Sequence, residues 1–339
     1  MRNKALKILI IRFSSIGDIV LTSPVVRCLH QQLPNAEIYF LTKKQFQPVV
    51  AHNPYLHKVI YFENNLAEVI SEIKKTSIDY IVDLHNNLRS RLIAAAFPFV
   101  KVSRFNKLNT EKWLLINFKI NLLPNKHIVD RYFETVSALG IQNDHEGLDF
   151  FIAQQDAFDL NNLPELHQKG YLVFSVGGQH NTKKMPLHQW QKLAAQINFP
   201  VIVLGGKEEQ ETGEVLSSNF SHVINFCGKI SLAQSASLIQ HAAMVVTHDT
   251  GLMHIAAAFK KPMVALWGNT IPELGMYAYY GKYIIPNFQA EVKGLKCRPC
   301  SKLGYKKCPE GHFNCMQQQD INAVILFLKA NLLLAFPIA

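Results

Sequence analysis

The densest chemistry in this 339-residue chain sits in one short string, Asp249-Thr250-Gly251-Leu252-Met253-His254. It follows the apolar run Met244–Thr247 and precedes a helical pattern, so a strand should end there and a helix begin. Threonine is a good N-cap, glycine lets a ligand approach the backbone, and the first amides of a helix lack intrahelical partners. Such amides, helped by the helix dipole, hold anions. His254, one turn in, is placed to reach a phosphate or a ribose; the plainer reading is a capped helix with a half-buried histidine. A second string, Ser14-Ser15-Ile16-Gly17-Asp18, has the same strand–loop–helix frame but only one glycine, followed by a carboxylate where a phosphate would sit. Asp18 serves either as a helix cap or as a base. Lys183 and Lys184 can neutralise an anionic leaving group, and Glu209, after a Gly-Gly pair, can accept bonds from two hydroxyls. Arg89 and Arg91, following His85 at the end of another apolar run, suit a phosphate or carboxylate.

Four of the six cysteines cluster as C-x2-C-x7-C-x6-C, at Cys297, Cys300, Cys308 and Cys315, with His312 nearby. In a reducing compartment this spacing suits structural zinc, and Arg298, Lys302, Lys306 and Lys307 would stabilise thiolates. The other reading is a loop with incidental thiols. Cys28 and Cys227 read as core residues.

The elements that must position these groups follow a regular alternation. Strand-like runs KILIIRF, EIYFLT, KVIYF, DYIVDLH and KVSRF are separated by helical segments, the first predicted over Asp18–Leu33. The pattern restarts near residue 171 with YLVFSVGG, VIVLGG, HVINFCG, MVVTHD and PMVALWG. Alternating strands and helices mean parallel sheets covered on both faces. Two doubly wound sheets with a cleft between them are expected, with ligands beyond the carboxyl ends of the strands. The predicted domains are 1–160 and 168–315, joined through the polar stretch 152–170, followed by a helix over 316–339 that packs back across the domain boundary.

Composition bounds the partners. The chain is 48% hydrophobic with a formal net charge of +10. A basic balance implies an acidic partner: nucleic acid, an anionic membrane surface or a phosphorylated substrate. Aromatic-rich nucleic-acid motifs are absent. The apolar start is short and carries Arg12, and the C-terminal apolar run carries Asn322, Lys329 and Asn331, so a cytoplasmic protein without a spanning helix is expected.

The strings together resemble the lipopolysaccharide heptosyltransferase family, glycosyltransferase family 9. Asp249, Thr250, Gly251 and His254, followed by Ala256–Ala258, match its Asp-Thr-Gly-x-x-His segment. Ser14-Ser15-Ile16-Gly17-Asp18 matches its Ser-Ser-x-Gly-Asp loop residue for residue. Thr182, Lys183, Pro186 and Trp190 match its Thr-Lys-x-Trp-Pro loop, with Met185 replacing a tryptophan. Glu209 matches the acid after its Gly-Gly pair. The segment Asp83–Arg91 departs from the family pattern, with His85 for Gln, Asn86 for Gly and Arg89 for Lys. The resemblance implies a GT-B α/β fold of two Rossmann-like domains. It also implies inverting transfer of a heptose from ADP-heptose to an acidic, lipid A-linked inner core. Asp18 is then the catalytic base and Lys183 the donor-phosphate lysine. Thr182, Glu209, Asp249, Thr250, Gly251 and His254 bind the donor, and Ser15, Gly17, His85, Arg89 and Arg91 the acceptor. No cofactor is required for catalysis and no nucleic acid is bound. The enzyme would sit peripherally on the cytoplasmic face of the inner membrane. The alternatives are another nucleotide-sugar reaction on the same fold, such as epimerisation, or a zinc and nucleic-acid-binding module.

Overall fold

The computed structural model describes residues 5–335. The first four residues of the expected first domain and positions 336–339 of the expected final helix lie outside the described residues. Strands form at β1 (Lys7–Ile11), β2 (Glu37–Lys43), β3 (Lys58–Phe62), β4 (Tyr80–Asp83) and β5 (Lys101–Arg104), then at β6 (Leu172–Ser175), β7 (Val201–Leu204), β8 (Val223–Asn225), β9 (Met244–His248), β10 (Met263–Trp267) and β11 (Asn287–Glu291). The first five make a sheet of order β3-β2-β1-β4-β5, the rest one of order β11-β10-β9-β6-β7-β8. The pairings are parallel, β1 lying between β2 and β4 and β6 between β7 and β9. Both sheets wind outward from their first strand to one side and then reverse to the other. The reversal falls at β1/β4 in one and β6/β9 in the other, the place where such sheets bind ligands.

The central strands are apolar without alternation because helices cover both faces; Ile8–Ile11 and Val201–Leu204 are wholly buried. Strand β11 escaped the sequence reading because it is a short edge strand, NFQAE, in which only Ala290 is fully buried. The predicted helix over Asp18–Leu33 is two helices, Ile16–Val20 and Ser23–Gln32. Pro24 cannot donate to the carbonyl one turn back, and the Thr22 hydroxyl caps the break by donating to Ile19 O at 2.7 Å.

Two compact units result: 1–107 with 126–151, and 108–125 with 152–339. The expected division at 160–168 differs from this because residues 152–170 pack on the second unit. Phe158 meets Phe226 edge-on at 5.1 Å, and His167 Nε2 lies 3.1 Å from His222 O. The final helix is Ile321–Ala335 rather than a helix from Met316. Its Val324, Ile325 and Leu328 enter the second unit's core with Phe174 and Trp190, and Phe327 stacks on Phe288 at 5.6 Å. Leu328→Ala should therefore cost about 2–5 kcal/mol in urea unfolding, whereas Leu326→Ala, on the 69% exposed side, should stay within about 0.5 kcal/mol. Equal costs would show that this face is not docked.

Candidate functional sites at two strand reversals

In the first unit the reversal is bridged by Arg12, the residue that follows β1. Its Nη1 donates to Leu84 O beyond β4 at 2.6 Å, and its Nε to Ser14 O at 3.0 Å. Its Nη2 holds Asp18 Oδ1 at 2.5 Å. Asp18 Oδ2 accepts from the Ser15 amide at 3.0 Å and the Ser15 hydroxyl at 2.8 Å. Asp18 thus turns back onto the N-cap residue of helix Ile16–Val20, and its side chain stays 21% exposed. A buried charge needs a partner. Burial alone would lower the Arg12 pKa, but Asp18 together with Tyr132 and Asp83 raises it above the ordinary arginine value.

His85 lies at the same reversal, its ring edge-on to Phe13 at 5.2 Å. Burial first, then the charges of Arg12, Lys107 and Lys43, push its pKa down to about 3, against a smaller opposing pull from Asp18. The imidazole is neutral, and its buried Nδ1 has no hydrogen-bond partner among the described residues. The turn carrying it is held by buried Asp83. One Asp83 oxygen accepts from the amides of His85 (3.0 Å) and Asn86 (2.6 Å), the other from the Ser90 hydroxyl (2.7 Å). Asn86 is in the left-handed region, φ 41°, which explains why asparagine can replace the family's glycine there. Arg91 Nε donates to Asn86 Oδ1 at 3.0 Å, and Arg89 lies over Phe62 at 5.6 Å. Arg89, Lys43 and Lys44 line a cavity of about 770 Å³.

In the second unit the bridge is His248, fully buried at the end of β9. Its Nδ1 donates to Gly177 O at 3.0 Å and its Nε2 accepts from the Met185 amide at 2.8 Å. Only a neutral imidazole can do both, and burial pushes its pKa down to about 4. The bridge fixes the loop that carries the two lysines. Lys183 Nζ donates to Asp249 Oδ2 at 2.6 Å and to Asp249 O at 3.1 Å, while the Thr270 hydroxyl donates to the same Oδ2 at 2.8 Å. Lys184 Nζ pairs with Glu209 Oε1 at 2.5 Å, and Glu209 Oε2 accepts from the Gly206 amide at 2.9 Å. A Cβ on Gly205 would sit 2.8 Å from Glu209 Cβ, so only glycine lets the acid fold back so closely. The structure therefore brings Lys183, Glu209, Asp249 and Thr250 to one strand edge. Gly251 opens the helix Gly251–Ala258, and His254 is buried one turn in.

Two expectations change. Thr250 occupies the N-cap position, but its buried hydroxyl bonds no helix amide and has no hydrogen-bond partner among the described residues. Thr182 is buried and faces its own scaffold: its hydroxyl accepts from the Tyr305 amide at 2.8 Å and donates to Asn269 Oδ1 at 3.1 Å. The cysteines considered for zinc stay grouped: Cys300 interacts with Cys297, Cys308 and Cys315, and Cys297 Sγ lies 3.9 Å from His312 Nε2. Among the described residues no group of three or more His, Cys, Asp or Glu side chains is placed to hold a metal. Cys315 is a core residue; burial raises its thiol to about 11 and, with the neighbouring cysteines, that of Cys300 to about 12. Arg298 ties this loop to the strand edge, donating to Gly268 O, Val292 O and Thr270 O at 2.6, 2.8 and 3.0 Å.

Sequence reading missed Arg12, His248 and Thr270. The available signal was a polar residue closing an apolar run, as in KILIIR and MVVTH.

The histidine bridge sets a pH dependence. His248 binds its proton less readily folded than unfolded, so its contribution is intact above about pH 6.5 and is lost as pH falls toward about 4. Urea unfolding across that window should show wild type losing stability more steeply than His248→Gln, which does not titrate. Parallel slopes would remove His248 from the account.

Comparison with known proteins gives the geometry its context. The sequence model of glycosyltransferase family 9 (heptosyltransferase) matches residues 66–296. The lipooligosaccharide heptosyltransferase 2 of Haemophilus ducreyi is 28% identical over 301 residues, covering 79% of this chain and 84% of that protein. Among solved structures, a family 9 glycosyl transferase from Veillonella parvula superposes with a TM-score of 0.75 at 20% identity, over 98% of this chain and 99% of that one. The Escherichia coli heptosyltransferase WaaC with ADP-2-deoxy-2-fluoro heptose superposes with a TM-score of 0.65 at 21% identity, over 96% and 100%. The fold is thus the GT-B architecture of these enzymes. With the family match extending over well more than half its length, the chain belongs to glycosyltransferase family 9, the heptosyltransferases.

Proposed function

We propose that this enzyme transfers a heptose from ADP-heptose to the inner core of lipopolysaccharide, with inversion at the anomeric carbon. The observation that carries the reading is the strand edge of the second unit. There Lys183, held by Asp249, meets the N-terminus of helix Gly251–Ala258 and a buried threonine hydroxyl without a partner among the described residues. A lysine ammonium has three donors. Two go to Asp249, leaving one for a diphosphate, while the helix dipole favours the same charge. As the sugar–phosphate bond breaks, charge grows on the diphosphate, and these fixed groups stabilise it without reorganising. Glu209, kept in place by Lys184 and the Gly206 amide, is the acid for ribose or sugar hydroxyls.

On the acceptor side Asp18 is the base. Arg12 and Ser15 fix the orientation of its carboxylate, and it takes the acceptor hydroxyl's proton as that oxygen attacks the anomeric carbon. Inversion in one displacement needs no second carboxylate, unlike the paired acids of a retaining glycosidase. The acceptor is anionic, and the cavity lined by Lys43, Lys44 and Arg89 offers cations for its phosphates or carboxylates; His85 and the Ser15–Gly17 loop adjoin the base. Such an acceptor is lipid-linked, so the enzyme works peripherally on the cytoplasmic face of the inner membrane. No helix among the described residues is long and apolar enough to cross one.

Asp18→Asn should lower kcat by about 10²–10⁴ while calorimetry shows unchanged ADP-heptose binding. Transfer at the wild-type rate would remove Asp18 as the base. Lys183→Ala should weaken donor binding and turnover together, whereas Arg89→Ala should raise the acceptor KM and leave the donor KM alone.

A further inference from the structure

Residues 108–125 interrupt the first unit in sequence but belong to the second. They form the helix Asn109–Phe118 and an extended return. Lys119 Nζ anchors the segment to the cysteine-bearing loop, donating to Pro299 O at 2.8 Å and Cys297 O at 3.2 Å. Leu115 is buried beneath it, yet Trp113, Phe118, Ile120 and Leu122 are 55, 59, 50 and 60% exposed. Trp113 and Phe118 meet edge-on at 5.3 Å, presenting one aromatic block to solvent. The neighbouring loop adds Leu303 at 59% and Tyr305 at 43% exposed. Helix and loop are contiguous: Trp113, Ile116 and Asn117 line a shared trough with Ser301, Lys302 and Tyr305.

The charge around this apolar block is mostly positive. From Val292 to Lys307 there are six cations and no acid, and Lys293, Lys296, Lys302, Lys306 and Lys307 are exposed. The helix segment contributes a single acid, Glu111. A groove built for another protein buries aromatic anchors inside a polar rim of mixed charge. Here tryptophan, tyrosine and aliphatic side chains stand among five exposed lysines and a single acid. That combination suits the boundary of an anionic bilayer, where aromatic rings sit at headgroup level and lysines pair with phosphates. Each lysine near such a surface adds attraction that salt screens.

We infer that the helix Asn109–Phe118, its return through Leu122 and the loop Lys302–Lys307 form the surface by which the enzyme docks on an anionic lipid bilayer. The inference deepens the functional reading and rests on it, because a lipid-linked acceptor lies in such a bilayer. The docking groups are separate from Asp18 and Lys183, so the two readings fail independently.

The test is sedimentation of the full chain with vesicles of phosphatidylcholine alone or mixed equally with phosphatidylglycerol. Wild type should pellet with the mixed vesicles, stay in solution with the neutral ones, and be released by salt. Trp113→Ser/Phe118→Ser and Lys302→Glu/Lys306→Glu/Lys307→Glu should each weaken binding by about tenfold or more. Both should keep the wild-type melting temperature and the wild-type rate of transfer to a lipid-free core acceptor. That rate separately reads the functional proposal. Wild type that ignores the mixed vesicles, or variants that bind them as wild type does, would overturn the inference. So would a wild-type dimer in ultracentrifugation that both variants convert to monomer, since the face would then be a protein interface.

Discussion

A parallel sheet that reverses its winding opens a crevice between two strand ends, and the chain leaving each end diverges from its neighbour. Something polar must hold the two exits together, because backbone groups buried there have lost their ladder partners. Each unit solves this with one side chain from the last turn of a strand. In the first it is Arg12, bonded to Leu84 O across the reversal; in the second it is His248, bonded to Gly177 O and to the Met185 amide. The loops that carry Asp18, His85, Lys183 and Asp249 take their positions from these two bridges.

The choice of bridge decides the chemistry each crevice can host. A guanidinium cannot shed its charge, so Arg12 demands a buried anion and finds Asp18. That leaves a carboxylate at the edge of the first unit. An imidazole can be neutral, and His248 must be in order to donate at one nitrogen and accept at the other. The second crevice therefore gains no charge from its bridge and takes its cations from Lys183 and Lys184, each already matched by an acid. One winding thus supports a guanidinium–carboxylate pair at the edge of one unit and two lysine–carboxylate pairs at the edge of the other.

The cysteine-bearing loop shows the same dependence on packing over type. Its spacing suits a metal, one of its thiols enters the core, and Arg298 and Lys119 hold the loop to backbone carbonyls. Tyr305, in the same loop, braces Thr182 next to Lys183. The loop acts as a strut for the strand edge, and its outward residues are left free to carry apolar and cationic surface.

Much of this was legible in the chain itself. Runs such as KILII and VIVL, broken at regular intervals by helical stretches, determined two parallel sheets, because strands covered on both faces cannot alternate polar and apolar residues. The strings around Asp18 and Asp249 marked which strand ends carry chemistry, since glycine, hydroxyl and acid at a strand–helix junction have few other uses together. What the chain alone left open was partnership. Only the folded structure decided that Asp18 pairs with Arg12 and that Thr182 braces a loop. The same holds for residues 108–125, which join the unit they are not contiguous with. Each of these turns on distance and burial between segments far apart in sequence, and local spacing carries no information about either.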